Sequence, residues 1–258
     1  MQISAYLANP GGNITLLVLD AVPPEARADL AKRLMALPDL AIEQVGYVTA
    51  PVCGGDTRLE MMGGELCGNA TRSLGYLEGC LRGKRAQTLR VECSGVSEPL
   101  EVELDYERET AFVRMAPPLA VTHIDFSGER FPVVCFDGIA HMIVAGERRA
   151  ETFVLEAVHA LHEQTASAAC GVMFLRDEQL VPVVWVRETG SLVWEGSCGS
   201  GSLACAVWRA LTEGLEKDCF HQPGGVLETR IQLENGLVRS CIMGGAVTFS
   251  ERLTLTVE

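Results

Sequence analysis

Two short stretches of the sequence share one pattern and decide the fold: residues 63–72 read GGELCGNATR, and residues 195–204 read EGSCGSGSLA. Each places a Cys-Gly pair, a polar residue and small residues at the start of a segment with helical periodicity. Cys67 and Cys198 therefore begin two predicted helices, about half the chain length apart. This spacing indicates an internal duplication in which each half contributes one cysteine at a helix N-terminus.

The segments around the two cysteines alternate between helical and strand patterns. Helices are predicted from Pro23-Pro24 to about Ala36, from Cys67 to about Leu81, over 150–161 and after Cys198. Strands are predicted at 14–19, 42–48, 88–93, 99–104, 110–115, 133–144, 171–175 and 181–187, with further strands within 226–257. The pattern predicts an α+β fold, and Pro117-Pro118 breaks the chain near its midpoint.

Composition narrows the functional class. The chain has 258 residues, of which 48% are apolar, and a net charge of −13. An acidic surface argues against a nucleic-acid ligand, and no apolar run reaches the roughly 18 residues that a membrane span needs. The first residues carry no basic region or apolar signal core, so we expect a cytoplasmic protein. Ten cysteines without a C-x-x-C spacing favour free thiols over disulfides or zinc.

The two cysteine loops suggest a specific chemistry. The first turn of a helix offers unpaired N–H groups and a partial positive charge, which stabilise a thiolate, so a cysteine there can act as a base near neutral pH. The N–H groups of Gly68 and Asn69 in one loop, and of Gly199 and Ser200 in the other, could hold a carboxylate between the helices. One thiolate could then remove an α-proton while the opposite thiol returns one to the other face, which is two-base racemisation.

Three other interpretations of these residues remain open from the motifs alone. A single Cys-Gly at a helix start is usually a packing feature, although two matched copies reverse those odds. Gly199-x-Gly201-x-x-Ala204 fits a dinucleotide-binding fingerprint loosely, without the expected acidic residue on a following strand. A cysteine nucleophile with His141 as base would suit acyl transfer but leaves the second loop unexplained. His159 and His162 lack accompanying ligands, so no metal is expected.

The quoted loops, as a pair, resemble those of diaminopimelate epimerase and its pyridoxal-phosphate-independent racemase relatives, and the resemblance covers nearly the whole chain. Further matching segments are Gly12-Asn13, Glu43-Gln44, Gly138-Ile139-Ala140-His141 and the residue Glu188. The resemblance implies that His141 partners Cys67 and that Glu188 partners Cys198. It also implies that Asn13, Gln44 and Glu188 surround the substrate ammonium group.

The sequence departs from the epimerase pattern where that family grips the distal end of its substrate. Ile139 replaces an asparagine, Thr189 replaces an arginine, and Glu60 or Met61 falls where another asparagine is expected. Without these groups a second zwitterion would be left unpaired, which costs several kcal/mol. The stretch 61–70 is similar to that of histidine racemases of the metallophore (staphylopine-type) kind. Glu60 is a candidate acceptor for a ring N–H or a cationic group.

Together these observations predict two pseudosymmetric halves, 1–117 carrying Cys67 and 118–258 carrying Cys198, with the last strand crossing back to the first half. Each half is expected to be a β-barrel-like sheet around a central helix, with the site in the cleft between them. The predicted function is racemisation of an amino acid, histidine first, without a cofactor, and a homodimer is one possible assembly. The alternatives are a diaminopimelate epimerase, a phenazine-type isomerase, which lacks the two thiols, and an amino-acid-binding or thiol redox-sensing protein.

Overall fold

The computed structural model describes residues 2–257, which form an α+β fold, so the predicted class is confirmed. The helices in this range are α1 (Pro24–Met35), α2 (Gly68–Leu81), α3 (Glu151–Thr165) and α4 (Gly199–Glu213). Each coincides with a predicted helix. Helix α3 continues past its predicted end at residue 161 and closes on Ala166, which has a left-handed conformation (φ 54°).

The strands account for most of the remaining ordered chain. In order they are β1 (Gln2–Asn9), β2 (Thr15–Val18), β3 (Gln44–Thr49), β4 (Thr57–Met61), β5 (Thr88–Cys93), β6 (Leu100–Asp105), β7 (Thr110–Met115), β8 (Ala120–Phe126), β9 (Glu129–Phe136), β10 (Ile139–Ala145), β11 (Ala169–Arg176), β12 (Gln179–Val186), β13 (Ser191–Trp194), β14 (Lys217–Gln222), β15 (Gly225–Glu234), β16 (Leu237–Ala246), β17 (Thr248–Phe249) and β18 (Leu253–Thr256). The sequence patterns predict β5 and β7 residue for residue but miss β1, β4, β8, β13 and β14.

Contacts within the chain define two compact units. Unit 1 contains the described residues up to Arg114 together with those from Gly244 onward, and unit 2 contains Met115–Met243. The division between the units falls a few residues before Pro117-Pro118. Strand β16 starts in unit 2, and its last residues, from Gly244, belong to unit 1.

Unit 1 is built from two parallel strand pairs, each connected through a helix. Strand β2 pairs in parallel with β3 across α1, and β4 pairs in parallel with β5 across α2. Antiparallel neighbours complete the series, with β1 beside β2 and β18, β3 beside β4, and β5 through β7 as a meander. The parallel connections place the N-terminus of α2, and with it Cys67, beyond the end of β4.

Unit 2 repeats this order of connections. Strand β10 pairs in parallel with β11 across α3, and β12 pairs in parallel with β14 across α4. Strands β8 to β10 form an antiparallel meander, and β11 is antiparallel to β12. Helix α4 with Cys198 therefore has the same place in unit 2 that α2 with Cys67 has in unit 1.

Each unit has its own apolar core. In unit 2 the buried face of α3 consists of Val154, Ala157, Val158 and Leu161, as its periodicity predicts, while Phe153 is only partly buried. In unit 1 helix α1 buries Leu30 and Leu34 against β2 and β3. Each of these two cores is therefore formed by residues of its own unit.

Candidate active site

The Cys67 loop of unit 1 ends in a helix cap. Cys67 is the N-cap residue of α2, with an extended backbone (φ −126°, ψ 107°), and its Sγ accepts a hydrogen bond from the Ala70 N–H at 3.4 Å. Its carbonyl oxygen accepts bonds from the N–H and the Oγ1 of Thr71, at 2.9 and 2.7 Å. Gly68 and Asn69 are the first two residues of the helix, whose N–H groups have no acceptor within the helix.

Gln44 is the main side-chain partner of the Cys67 sulfur. Its Nε2 donates to Cys67 Sγ at 3.2 Å and to Thr15 Oγ1 at 2.7 Å, and the Thr15 hydroxyl donates to the Asn13 carbonyl oxygen at 3.1 Å. Thr15 and Gln44 are directly paired at the starts of β2 and β3. The structure therefore brings together three of the predicted residues, Asn13, Gln44 and Cys67, through a chain of hydrogen bonds in which the Gln44 amide donates to the sulfur.

The side chain of Asn69, for which no role was predicted, forms a hydrogen bond within its own helix. It is buried, and its Oδ1 accepts a hydrogen bond from Arg72 Nε at 3.2 Å. Its backbone N–H remains at the helix N-terminus as expected, while its side chain holds a residue of the same helix in place. The Oδ1 atom of Asn69 is therefore engaged within α2.

The Cys198 loop of unit 2 has nearly the same backbone. Cys198 is the N-cap residue of α4 (φ −118°, ψ 110°), and its carbonyl oxygen accepts bonds from the N–H and the Oγ of Ser202, at 3.0 and 2.8 Å. Its own N–H donates to Gln222 Oε1 at 2.8 Å. Gly199 and Ser200 begin the helix, in the positions that Gly68 and Asn69 have in α2.

His141 lies in unit 2, as Cys198 does, and the partnership with Cys67 that the family resemblance implied stays a prediction. It is fully buried in β10 of unit 2, and its Nε2 lies 2.8 Å from Ser200 Oγ, which in turn lies 3.7 Å from Cys198 Sγ. Gly171, its paired residue on β11, leaves room for the ring, because a Cβ there would collide with Nδ1. Within unit 2, His141 is thus connected to Cys198 through the Ser200 hydroxyl.

The carboxylate beside Cys198 is Glu195 and not Glu188, so the prediction for Glu188 is wrong. Glu188 is exposed in the turn between β12 and β13, where the hairpin directs it to solvent. Glu195 follows β13 and forms a side-chain hydrogen bond with the Cys198 thiol. Its position three residues before the cysteine was visible in the quoted motif, but sequence spacing alone does not show which carboxylate the hairpin returns to the sulfur.

Burial changes the protonation expected from the helix position alone. It raises the pKa of Cys67 to about 11, although the Ala70 N–H and Gln44 act in the opposite direction. Burial, followed by the Glu195 carboxylate, raises the pKa of Cys198 well above its ordinary value. Burial also lowers the pKa of His141 to about 3, so its imidazole is neutral at pH 7. Both cysteines are therefore thiols in the protein as described, contrary to the expectation of a ready thiolate.

Three residues that the sequence places near the distal end of the substrate are either engaged with other side chains or buried in a strand. Glu60 is ion-paired with Arg58, at 2.5 Å, and lies 4.0 Å from Arg27, so it is not an unoccupied acceptor. Met61 is buried in β4, and the Thr189 hydroxyl is bonded to Ser191 at 2.7 Å. The proposed role of Glu60 toward a ring N–H therefore loses its support.

Other candidate sites carry structural roles. His159 and His162 pack against Trp185, with ring centroids 5.2 and 5.5 Å away. Over residues 2–257 no group of three or more His, Cys, Asp or Glu side chains is arranged to hold a metal ion. All ten cysteines are free thiols. Within the same range, none of the helices has the length and apolar character needed to cross a membrane.

Solved structures share this fold at low sequence identity. A phenazine biosynthesis protein of the PhzF family from Bacillus anthracis is 14% identical with a TM-score of 0.71, and the match covers 100% of this chain and 99% of that one. A probable proline racemase from Agrobacterium radiobacter K84 is 14% identical with a TM-score of 0.65, over 99% and 93% of the two chains. At these identities the likeness concerns the fold alone.

Sequence comparison is more specific. A histidine racemase of Fusobacterium nucleatum (strain ATCC 25586) is 31% identical over 237 residues, which cover 87% of each chain. A histidine racemase of Staphylococcus aureus (strain Mu50) is 29% identical over 245 residues, or 87% of this chain and 86% of that protein. The family model of the histidine racemase CntK N-terminal domain matches residues 2–252. Because that match spans almost all of the described residues, the chain belongs to the histidine racemase family.

Proposed function

We propose that this protein racemises histidine without a cofactor and that Cys67 and Cys198 are its acid–base pair. The observation that carries the proposal is the matched pair of N-cap cysteines, which have nearly the same φ and ψ and begin equivalent helices of the two units. Family membership supplies the substrate, since the curated relatives are histidine racemases. A duplicated fold with one such thiol per unit is what a reaction needs when it must act on both faces of one carbon.

The proposed reaction balances with two sulfurs and one substrate proton at a time. The helix N-termini, through the N–H groups of Gly68, Asn69, Gly199 and Ser200, hold the substrate carboxylate. One thiolate takes the α-proton, the electron pair delocalises toward the carboxylate, and the opposite thiol donates its proton to the other face. The product leaves with inverted configuration, and the two sulfurs remain with their protonation states exchanged. In this state the enzyme can act on a molecule of the product configuration and convert it back.

The surroundings of the sulfurs support Cys67 as the base that forms more readily. The Gln44 amide and the Ala70 N–H can only donate to Cys67 Sγ, which favours its thiolate. Cys198 faces the Glu195 carboxylate, which favours its thiol. The Ser200 hydroxyl beside Cys198 can both donate and accept, so it can serve that sulfur before and after proton transfer.

The substrate assignment combines family and sequence. Ile139 and Thr189 stand where the epimerase pattern has an asparagine and an arginine, so this chain lacks those partners for a second amino-acid end. We therefore expect L-histidine and D-histidine to interconvert, and LL-diaminopimelate to be a poor substrate. We also propose that the protein is cytoplasmic and that it forms a homodimer.

The decisive assay measures kcat/KM for L-histidine, other L-amino acids and LL-diaminopimelate in parallel, without added pyridoxal phosphate. Histidine should give the highest value, and its α-hydrogen should exchange with solvent deuterium. If LL-diaminopimelate gives the highest kcat/KM, the interpretation of positions 139 and 189 is wrong. If histidine binds without exchange or loss of optical activity, the protein is an amino-acid-binding protein instead of a racemase.

A further inference from the structure

The two nitrogens of the buried His141 ring have unequal surroundings. Nε2 lies 2.8 Å from Ser200 Oγ, whereas Nδ1 has no hydrogen-bond partner among residues 2–257. The Nδ1 side of the ring packs against Gly171, where a Cβ would collide with it. The residue is fully buried, and burial lowers its pKa to about 3, so the imidazole is neutral at pH 7 and carries one hydrogen. What the ring does to Ser200 therefore depends on which nitrogen holds that hydrogen.

The Ser200 hydroxyl has one hydrogen and two neighbours that could receive it. Its Oγ lies 3.7 Å from Cys198 Sγ and 2.8 Å from Nε2 of His141. The Cys198 thiol already bonds to the Glu195 carboxylate, which can only accept, so the thiol hydrogen is directed at Glu195. If Ser200 gave its hydrogen to Nε2, no hydrogen would remain for its contact with the sulfur.

A hydrogen on Nε2 satisfies more of these contacts than a hydrogen on Nδ1. With Nε2–H, the ring donates to Ser200 Oγ and the hydroxyl is free to donate to Cys198 Sγ. With Nδ1–H, the Ser200–Cys198 contact loses its hydrogen as well. Nδ1 has no partner in either arrangement, so only the second one leaves a further contact unsatisfied. The contacts therefore favour the Nε2–H tautomer.

Unit 1 directs a donor at its sulfur from the equivalent pair of strands. Thr15 gives its hydroxyl hydrogen to a backbone carbonyl oxygen, so its Oγ1 accepts from Gln44 Nε2 at 2.7 Å. The second hydrogen of that amide is thereby directed at Cys67 Sγ, at 3.2 Å. In unit 2 the ring of His141, on β10, reaches its cysteine through one further hydroxyl. Each unit thus holds one donor of fixed direction toward its cysteine, with different side chains.

We propose that His141 is a positioning residue whose Nε2–H holds the Ser200 hydroxyl in the orientation that donates to Cys198 Sγ. Its catalytic meaning rests on the proposed two-cysteine function. When the Cys198 thiol protonates the substrate carbanion, the S–H bond breaks, a C–H bond forms and the electron pair stays on the sulfur. The Ser200 hydrogen then faces that new charge. No proton passes along the chain, because the hydrogens of Ser200 and His141 keep their places.

The first test is the tautomer of His141 in the full chain without substrate. Proton–nitrogen correlation NMR on protein with isotope-labelled histidine distinguishes the two nitrogens of a neutral ring by which one carries hydrogen. Among the five histidines of the chain, the signals of His141 are those that disappear in His141→Gln. We expect hydrogen on Nε2 at pH 7. Hydrogen on Nδ1 would overturn the proposal, because Nε2 would then take the Ser200 hydrogen away from Cys198.

The second test measures kcat and KM for histidine. Ser200→Ala should lower kcat about 10- to 100-fold, the range for a hydrogen bond to a charged atom, with KM nearly unchanged because the backbone N–H groups at the helix start remain. His141→Leu should lower kcat as well, since the hydroxyl loses its orientation. His141→Gln should recover most of kcat, because its amide nitrogen is as many bonds from the backbone as Nε2 and keeps a donor.

A double variant separates positioning from support of the fold. Because His141 acts through the hydroxyl, adding His141→Leu to Ser200→Ala should cost little further kcat. Losses that multiply in the double variant would overturn the proposal, since the two residues would then act independently. If His141→Leu does not fold, Ser200→Ala decides together with the wild-type tautomer, because an unchanged kcat in Ser200→Ala also overturns the proposal.

Ser202→Ala is the matched control. Ser202 is a buried serine on the same helix, and its hydroxyl donates to the Cys198 carbonyl oxygen at 2.8 Å. Its loss should lower the melting temperature and leave the nitrogen signals of His141 unchanged.

The tautomer does not depend on turnover. A wild-type protein with hydrogen on Nε2 that does not racemise histidine would refute the proposed function and leave the orientation of Ser200 intact. A wild-type protein that racemises histidine with hydrogen on Nδ1 would do the reverse.

Discussion

The Cys67 loop and the Cys198 loop differ in their side chains far more than in their backbones. Both cysteines cap a helix, and both carbonyl oxygens accept a main-chain and a hydroxyl bond from the residue four positions on, Thr71 or Ser202. The N–H of Cys67, however, donates to the Cys93 sulfur, whereas the N–H of Cys198 donates to the Gln222 amide oxygen. The duplicated part is the cap geometry, and the chemistry around it has diverged.

The same divergence appears in the strands beside each loop. In unit 1 the pair Thr15 and Gln44 places its long side chain on the second strand, where the amide reaches Cys67. In unit 2 the corresponding pair is His141 and Gly171, and the long side chain is on the first strand. A role inferred for one unit by symmetry therefore does not transfer to the other: Gln44 contacts the cysteine itself, whereas His141 contacts Ser200 in the loop that carries Cys198.

The largest expected effect comes from removing either sulfur. Cys67→Ala and Cys198→Ala should each reduce histidine racemisation by at least about 100-fold, because proton transfer on one face then lacks its acid or base. Circular dichroism should show an unchanged fold, since Cys→Ala removes one heavy atom and leaves the backbone of the helix cap in place. Substantial racemisation by either variant would show that the two loops are not a catalytic pair.

The next effect separates Glu195 from Glu188. Glu195→Gln should lower kcat about tenfold with little change in KM, because the carboxylate that keeps Cys198 protonated is lost. Alkylation of Cys198 should also move to lower pH, as removal of the carboxylate lowers the pKa of its thiol. Glu188→Gln is the control and should stay close to wild type. The reverse ranking of the two variants would restore the partner that the sequence suggested.

A smaller effect tests the room that Gly171 leaves for His141. Gly171→Ala should destabilise the protein by about 1–3 kcal/mol, because the new methyl group collides with a fully buried ring that has little space to move. Chemical denaturation measures this, and kcat should fall as the His141–Ser200 contact is disturbed. An unchanged unfolding free energy would mean that the ring has an alternative position.

The smallest effect concerns acid stability in unit 1. Glu92 is buried, and although burial raises its pKa, the N–H groups of Val52, Gly55 and Cys53 and the Arg58 guanidinium together lower it to about 2. A depressed pKa stabilises the fold above the unfolded value near 4.5, and this contribution is lost as the pH falls toward 2. Wild type should therefore lose more stability between pH 5 and 3 than Glu92→Gln, in melts compared with those at pH 7. Parallel pH profiles for the two proteins would contradict this.

Sequence patterns predicted the parts of the site that depend on local structure. Helix α2 and its cap residue Cys67 follow from periodicity and from a small-residue start, both of which act within one turn. The contacts of Gln44 with Cys67, and of His141 with Ser200, depend on which strands become neighbours, and no local pattern contains that. Strand β1 was missed because its residues 2–9 mix exposed and buried positions without clear alternation.

Arg72 shows the same limit. Five positions after Cys67 it looks like an ordinary helical surface residue, and only the return of the chain at Gly245 and Ala246 buries it. Glu195 stood inside the quoted motif, yet Glu188 fitted the family pattern better. For Arg72 the decisive information was long-range packing, whereas the contact of Glu195 with Cys198 spans only three residues.

The return of the chain at Gly244 has a consequence for how the protein is made. Unit 2 is one continuous segment, so its residues leave the ribosome in an unbroken series. This unit can therefore fold while synthesis continues. Unit 1 cannot be completed until unit 2 has emerged, since β1 pairs with β17 and β18, and the carbonyl partners of Arg72 at 245 and 246 follow unit 2 in the chain. The unit that carries Cys67 is therefore completed after the unit that carries Cys198, because strand β1 lacks these partners until β17 and β18 have emerged.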